Sequence, residues 1–209
     1  MSDCTQRLDA VWDTYPDENL KALTQLKRGD GARIKVGNGS APIPRYEWNS
    51  AFLKNEDNKK ELFPFISKQL SAADMKGRLL LTTYLETVLS NRDIDLTTLQ
   101  PCNHPEADTR IILHLAHASE HGHTTAYVRT VDSDVVVLAV RYFNTFGLSE
   151  LWVGFGCGKN YRGIPVHTIC SSLGPSNSLA LPLFHSLTGF DTTSQFLGCG
   201  KKPSLGSLD

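Results

Sequence analysis

Six carboxylates stand where secondary elements should begin or end. Asp13 closes a short apolar-leaning run, and Asp132 and Asp134 flank Ser133 at the end of another. Glu106 and Asp108 open a predicted helix, and Asp191 follows Thr188-Gly189-Phe190 at the end of a later one. Carboxylate oxygens suit a hard cation such as Mg²⁺, which takes few protein ligands and keeps several waters. Two such ions about 4 Å apart clamp the attacking and leaving oxygens of a phosphodiester. Each acid also has an ordinary alternative. Residues two apart on a helix point about 200° apart, so Glu106 and Asp108 converge only around the open first turn, where Pro105 places them. Acids there also suit the helix dipole, which makes N-terminal capping the simpler reading of that pair alone. An isolated Asp-x-Asp is a common turn.

The elements that must carry these acids alternate between strand and helix. Leu8–Trp12, Arg78–Tyr84, Thr125–Val131 and Leu151–Phe155 read as strands. Asp17 caps a predicted helix to Arg28, with Leu20, Leu23 and Leu26 at helical spacing and Lys27-Arg28-Gly29 as its stop. Segments 46–53 and 58–70 look helical, with Pro64 near a kink. Pro105 starts a helix that Gly122 ends near His121. Val135–Phe146 fits strand or helix by periodicity. Ile164–Leu173 and Ser178–Thr188 read as helices, and Ile34-Lys35-Val36 as a short hairpin. Alternation of this kind predicts a three-layer α/β architecture, a parallel sheet with helices on both faces. Ligands of such sheets sit outside the carboxyl ends of the strands.

Lys21, Lys27, Arg28, Arg33 and Lys35 crowd a short stretch opposed only by Asp30. This is the candidate backbone-phosphate patch; the alternative is a solvated helix end and loop. Lys21 and Arg28 lie seven apart, about 20° from aligned on a helix, and so face one way. His114, His117 and His121 follow helical spacing, but no His-Glu-x-x-His occurs, so a partly exposed helix face is expected there rather than a zinc site. No Gly-x-Gly-x-x-Gly or P-loop spacing is present. Trp12, Trp48 and Trp152 are read as core, with Trp48 the one placed to stack on a base.

The 209 residues can bury roughly 70% of the unfolded chain's surface without disulfide staples. A net charge of −1 excludes a polybasic nucleic-acid coat, though not a local basic patch. No apolar run approaches the about 20 residues of a membrane span, and no secretion signal is visible. Five dispersed cysteines without a Cys-x-x-Cys pair predict a reducing, nuclear or cytoplasmic setting and no structural zinc.

Taken in order, these segments resemble the PIN-like, XPG-type nuclease superfamily that includes the flap endonucleases. Val11-Trp12-Asp13 with Lys21 and Arg28 resembles the stretch after that family's second acidic strand. Glu106-Ala107-Asp108 resembles its Glu-Ala-Glu helix start, Thr130-Val131-Asp132-Ser133-Asp134 its Thr-x-Asp-x-Asp strand end, and Leu187-Thr188-Gly189-Phe190-Asp191 its Gly-x-Asp segment. Gly198-Cys199-Gly200-Lys201-Lys202 looks like the start of its helix-hairpin-helix turn. A nearer similarity is to uncharacterised animal proteins with His-Glu-Glu-Ala-Asp-Thr-Arg and Leu-Thr-Gly-Cys-Asp-Thr-Thr-Ser patterns.

The resemblance implies a single PIN-like domain over 1–209, with a loop and helical insertion at about 29–77 and a truncated helix-hairpin-helix start at about 198–209. It implies that Asp13, Glu106, Asp108, Asp132, Asp134 and Asp191 hold one or two Mg²⁺ or Mn²⁺ ions. Lys21 and Arg28 would contact the scissile phosphate, and Lys27, Arg33, Lys35, Lys201 and Lys202 would bind nucleic acid, whether DNA or RNA. The family's first acidic strand has no counterpart here, and Asp108 stands where a glutamate is usual. The implied activity is therefore metal-dependent phosphodiester cleavage, impaired by what is missing. The alternatives are an inactive PIN-like module that binds nucleic acid or protein, and an unrelated enzyme, such as a nucleotide-sugar transferase, using only Asp132 and Asp134.

Overall fold

Arg7–Ala10 forms β1, and Leu79–Tyr84 forms β2 parallel to it, with Leu8 opposite Leu80 and Asp9 opposite Leu81. Thr87–Ser90 (β3) pairs antiparallel with β2. In the computed structural model the described residues are 5–15, 31, 33–37 and 47–188. The chain divides into two compact units, Met1–Arg110 and Ile111–Asp209, and this first sheet belongs to the first of them. Leu80, Leu81 and Thr82 are fully buried. Helix α1, Glu56–Ser71, packs on β2. Asn55 caps it, its side chain accepting from the Asp57 and Asn58 amides, and Pro64 sits inside without ending it. Trp48–Phe52 forms a π-helical turn in which Trp48 stacks on Phe52.

The segment 33–37 lies on α1 as irregular chain rather than as the expected hairpin. Asn58, wholly buried, accepts from the Ile34 amide at 2.9 Å and donates to the Phe52 carbonyl at 2.9 Å. Glu61 accepts from the Val36 amide at 2.9 Å and pairs with Arg33. The hydrogen bond from Arg33, followed by that from Val36, holds the Glu61 carboxyl below its ordinary value of 4.5. A depressed folded-state pKa stabilises above the unfolded value, and that contribution disappears as pH falls through the folded one. Wild-type protein should therefore lose stability below about pH 4.5 by a component that Glu61→Gln lacks. Thermal unfolding of both proteins across that acid range checks this.

The second unit is built on Thr125–Thr130 (β4) and Glu150–Phe155 (β5), which are parallel. Arg162–Pro165 (β6) pairs antiparallel with β5. Alternation puts Val128, Leu151 and Val153 on one face, buried with Ala139 and Val140 of helix α3 (Ser133–Tyr142) and Val166 and Cys170 of α4 (Val166–Leu187). Helix α2, Ala107–Glu120, spans the boundary between the units, and its Ile112 and Leu115 join this second core. Gly122 follows α2 at φ +83, the left-handed conformation that a helix end favours in glycine.

The α/β class is as expected, but the sheets are not purely parallel. Two three-stranded sheets each combine one parallel and one antiparallel pair. The reason is connection length: only Leu85 and Glu86 separate β2 from β3, and residues 156–161 separate β5 from β6. A parallel crossover needs about a dozen residues or more, so both strands must fold back. Val135–Tyr142 is helix, settled by the Asp132 cap. Ile164, read as the start of a helix, lies in β6 instead, and the two helices expected over 164–173 and 178–188 are arms of α4, bent at Gly174 (φ +74). The predicted helix 17–28 lies outside the described residues.

Candidate metal and nucleic-acid site

Buried polar groups fix Asp13. The Trp12 amide donates to Thr83 Oγ1 at 2.8 Å, and its indole Nε1 to Thr82 Oγ1 at 3.3 Å. The indole stacks on Phe63, with ring centroids 5.0 Å apart. Thr82 donates onward to Ser67 Oγ at 3.1 Å. With Trp12 held to β2 and α1 in this way, the next residue is presented to the start of α2. Asp13 Oδ1 accepts from the Ala107 amide at 2.7 Å, and the Thr14 amide donates to the Pro105 carbonyl at 2.7 Å. Asp13 is thus brought to the residue that lies between Glu106 and Asp108.

Tyr15 closes the other side of this carboxylate, donating from its hydroxyl to Asp13 Oδ2 at 3.1 Å. Burial first, and then the Asp13 charge, push the Tyr15 phenol far above its ordinary range. Asp13 itself is exposed, while Glu106 and Asp108 are half-buried. Asp108 Oδ1 accepts from the Thr109 amide at 2.7 Å. Beneath this turn lies Arg110, 2% exposed, which donates from Nε to the His104 carbonyl at 2.7 Å and from Nη2 to the Cys102 carbonyl at 3.1 Å. It ties the segment before α2 to the helix that follows.

In the second unit, Asp132 and Asp134 follow the carboxyl end of β4. Asp132 Oδ1 accepts from the Asp134 amide at 2.9 Å and so caps α3. Asp134 Oδ1 lies 2.9 Å from His185 Nε2 near the end of α4. Asp191 lies outside the described residues, as do Lys21, Lys27, Arg28, Lys201 and Lys202. Arg33 directs its guanidinium to Glu61 and Asn58, and Lys35 is exposed.

The acids the sequence singled out therefore fall into a group of three at the α2 start and a pair at the α3 start, each group within its own unit. Their donor set is all oxygen, which suits Mg²⁺ or Mn²⁺ rather than a soft metal. Among the described residues, no group of three or more His, Cys, Asp or Glu side chains is placed to hold a metal ion. The histidine face is a correction. His114 and His117 are 4% and 1% exposed, not partly exposed, and His121 stacks on His117 with ring centroids 4.0 Å apart. Trp152, read as core, is 36% exposed.

Sequence reasoning missed Tyr15, Arg110 and His185. Only Arg110 carried a signal: it continues the 114, 117, 121 stripe one helical step earlier, and a polar stripe on an otherwise apolar helix marks groups that must find buried partners. Among the described residues no helix is long and apolar enough to cross a membrane. Cys102, Cys157 and Cys170 are free thiols. Comparison with family models, with curated proteins and with solved structures returned no match for this chain.

Proposed function

We propose that the chain is a PIN-like, metal-dependent phosphodiesterase acting on nucleic acid. The observation that carries this reading is the Asp13–Ala107 hydrogen bond, which brings Asp13 to the backbone between Glu106 and Asp108 from more than ninety positions away in sequence. A divalent cation held by such carboxylates would polarise a phosphoryl oxygen and lower the pKa of bound water. Asp13, Glu106 and Asp108 would supply ligands in the first unit, Asp132, Asp134 and Asp191 are the candidate acids of the second, and Lys21 and Arg28 are the candidate phosphate contacts.

A second reading, an inactive module that binds nucleic acid or protein, is favoured by one specific feature. Asp13 and Asp132 already act as helix caps, and Asp134 is paired with His185. Two variants of Asp13 separate cap from ligand, because Asn caps about as well as Asp but carries no charge. Asp13→Ala should lose about 1 kcal/mol of stability without metal, whereas Asp13→Asn should lose little. Both should weaken Mn²⁺ binding, measured by electron paramagnetic resonance of free Mn²⁺, by about 10- to 100-fold. Undiminished Mn²⁺ affinity in Asp13→Asn would leave the residue a cap and favour the inactive module.

A further inference from the structure

The second sheet buries one face against its helices and leaves the other open. Tyr127 and Arg129 of β4 and Trp152 and Gly154 of β5 share the open face, Tyr127 opposite Trp152 and Arg129 opposite Gly154. Tyr127 is 56% exposed, Tyr161 49% and Trp152 36%. These rings are arranged rather than scattered. The Tyr127 and Tyr161 hydroxyls hydrogen-bond to each other above Gly154, where a Cβ would lie 1.9 Å from the Tyr127 oxygen and 3.0 Å from that of Tyr161. Glycine at 154 is what lets the two rings reach across β5. Large rings are favoured where they are buried or bound, so three half-exposed rings ordered on one face of this mixed sheet form a surface suited to a flat ligand.

Charge on this face is uneven. Arg129 lies over the Tyr161 ring at 5.2 Å, fixed by bonds to the Gly154 and Gly156 carbonyls at 2.8 and 2.6 Å. The β5–β6 connection adds exposed Lys159, with no carboxylate between residues 156 and 162; Arg162 is opposite Phe155 and lies over its ring, on the other face. Among the described residues, the one carboxylate of the face, Glu150, stands at the opposite end of β5 and accepts from Trp152 Nε1 at 3.0 Å. Flat rings bordered at one end by two cations match a ligand with flat bases and an anionic backbone. That cationic end is the carboxyl end of β4, after which Asp132 and Asp134 follow.

We propose that this face is a stacking platform for single-stranded nucleic acid, with bases on Tyr127, Trp152 and Tyr161 and phosphates toward Arg129 and Lys159. It goes beyond the carboxylate chemistry and does not depend on it, so the test is run in EDTA. Fluorescence anisotropy of a labelled oligothymidylate would be followed with the full chain at several salt concentrations. Saturable binding is expected. Tyr161→Ala should weaken it roughly 5- to 150-fold, the range for losing one stacked base. Tyr161→Phe, which keeps the ring, should stay within about 2-fold of wild type. Lys159→Ala should lower the salt slope by about one unit, while Tyr161→Ala leaves the slope unchanged.

Should Tyr161→Ala fail to fold, Trp152→Leu provides the same loss of one ring. Absence of single-strand binding by the wild type would overturn the proposal. So would equal affinity in folded ring-deletion variants, or complete displacement by heparin at matched charge, which has no bases to stack. Saturable binding of an uncharged oligosaccharide with no affinity for single strands would assign the face to a different ligand. In every such case the Mn²⁺ measurements on Asp13 are unaffected, so the two readings fail separately.

Discussion

Arg110→Ala should cost about 3 kcal/mol of folding stability, the range for removing one partner from a buried, charge-assisted arrangement. Three losses combine. The Cys102 and His104 carbonyls lose charged donors, the side chain's volume becomes a cavity, and the segment before α2 is no longer tied to the helix. For a chain of this length that corresponds to a fall in melting temperature of roughly 6–12 °C. Arg110→Met, which keeps the apolar stem, should fall between wild type and alanine. Differential scanning calorimetry of the three proteins checks this. A loss below about 1 kcal/mol for Arg110→Ala would mean that water replaces the guanidinium at no cost. Because the Pro105 carbonyl receives the Thr14 amide, loosening 102–105 should also weaken Mn²⁺ binding at Asp13.

The strands with strong local patterns were legible from sequence. Arg78–Tyr84 and Thr125–Val131 were read within one residue of β2 and β4, because leucine-rich and β-branched runs stand out there against their flanks. The α2 helix was legible through Pro105 and Gly122, each favoured at its end of a helix for a backbone reason. β3 was not. Its hairpin turns through Leu85 at φ +55, a conformation usually given to Gly or Asn, so no turn signal announces it. β6 was missed because Ile164 belongs equally to a four-residue strand and to the apolar helix that follows. The six-residue apolar run 135–140 was undecidable by periodicity, and the cap at Asp132 decides it.

The acids were legible as a set but not as an arrangement. Strand ends and helix starts can be read from local signals, which is why Asp13, Glu106, Asp108, Asp132 and Asp134 stand at such places. What the sequence could not show is that Asp13 reaches the α2 start through Trp12. That depends on Thr82 and Thr83 being buried under α1, and no local pattern encodes it. Arg33 is the converse case. Its place in a basic cluster suggested phosphate contact, while a glutamate 28 residues away takes its guanidinium.

The pair at α3 gives the largest expected effect on activity. Asp132→Asn should keep the α3 cap, since Asn accepts the same amide bond, yet lose the charge that a cation needs. Asp134→Asn should keep a partner for His185 and lose the same charge. Each should lower metal-dependent cleavage on the order of 100-fold, the cost of misplacing a reacting group by about an ångström. The unfolding temperature without metal should barely change, which separates this outcome from simple destabilisation.

The most direct measurement is hydrolysis of a 5′-labelled oligonucleotide by the full chain with Mg²⁺ or Mn²⁺, in single-stranded and duplex form. Slow cleavage is expected that EDTA abolishes, that Mn²⁺ restores, and that Asp13→Asn, Asp132→Asn and Asp134→Asn each suppress. Folded wild-type protein that cleaves neither substrate with either metal would contradict it. So would cleavage that persists unchanged in all three variants.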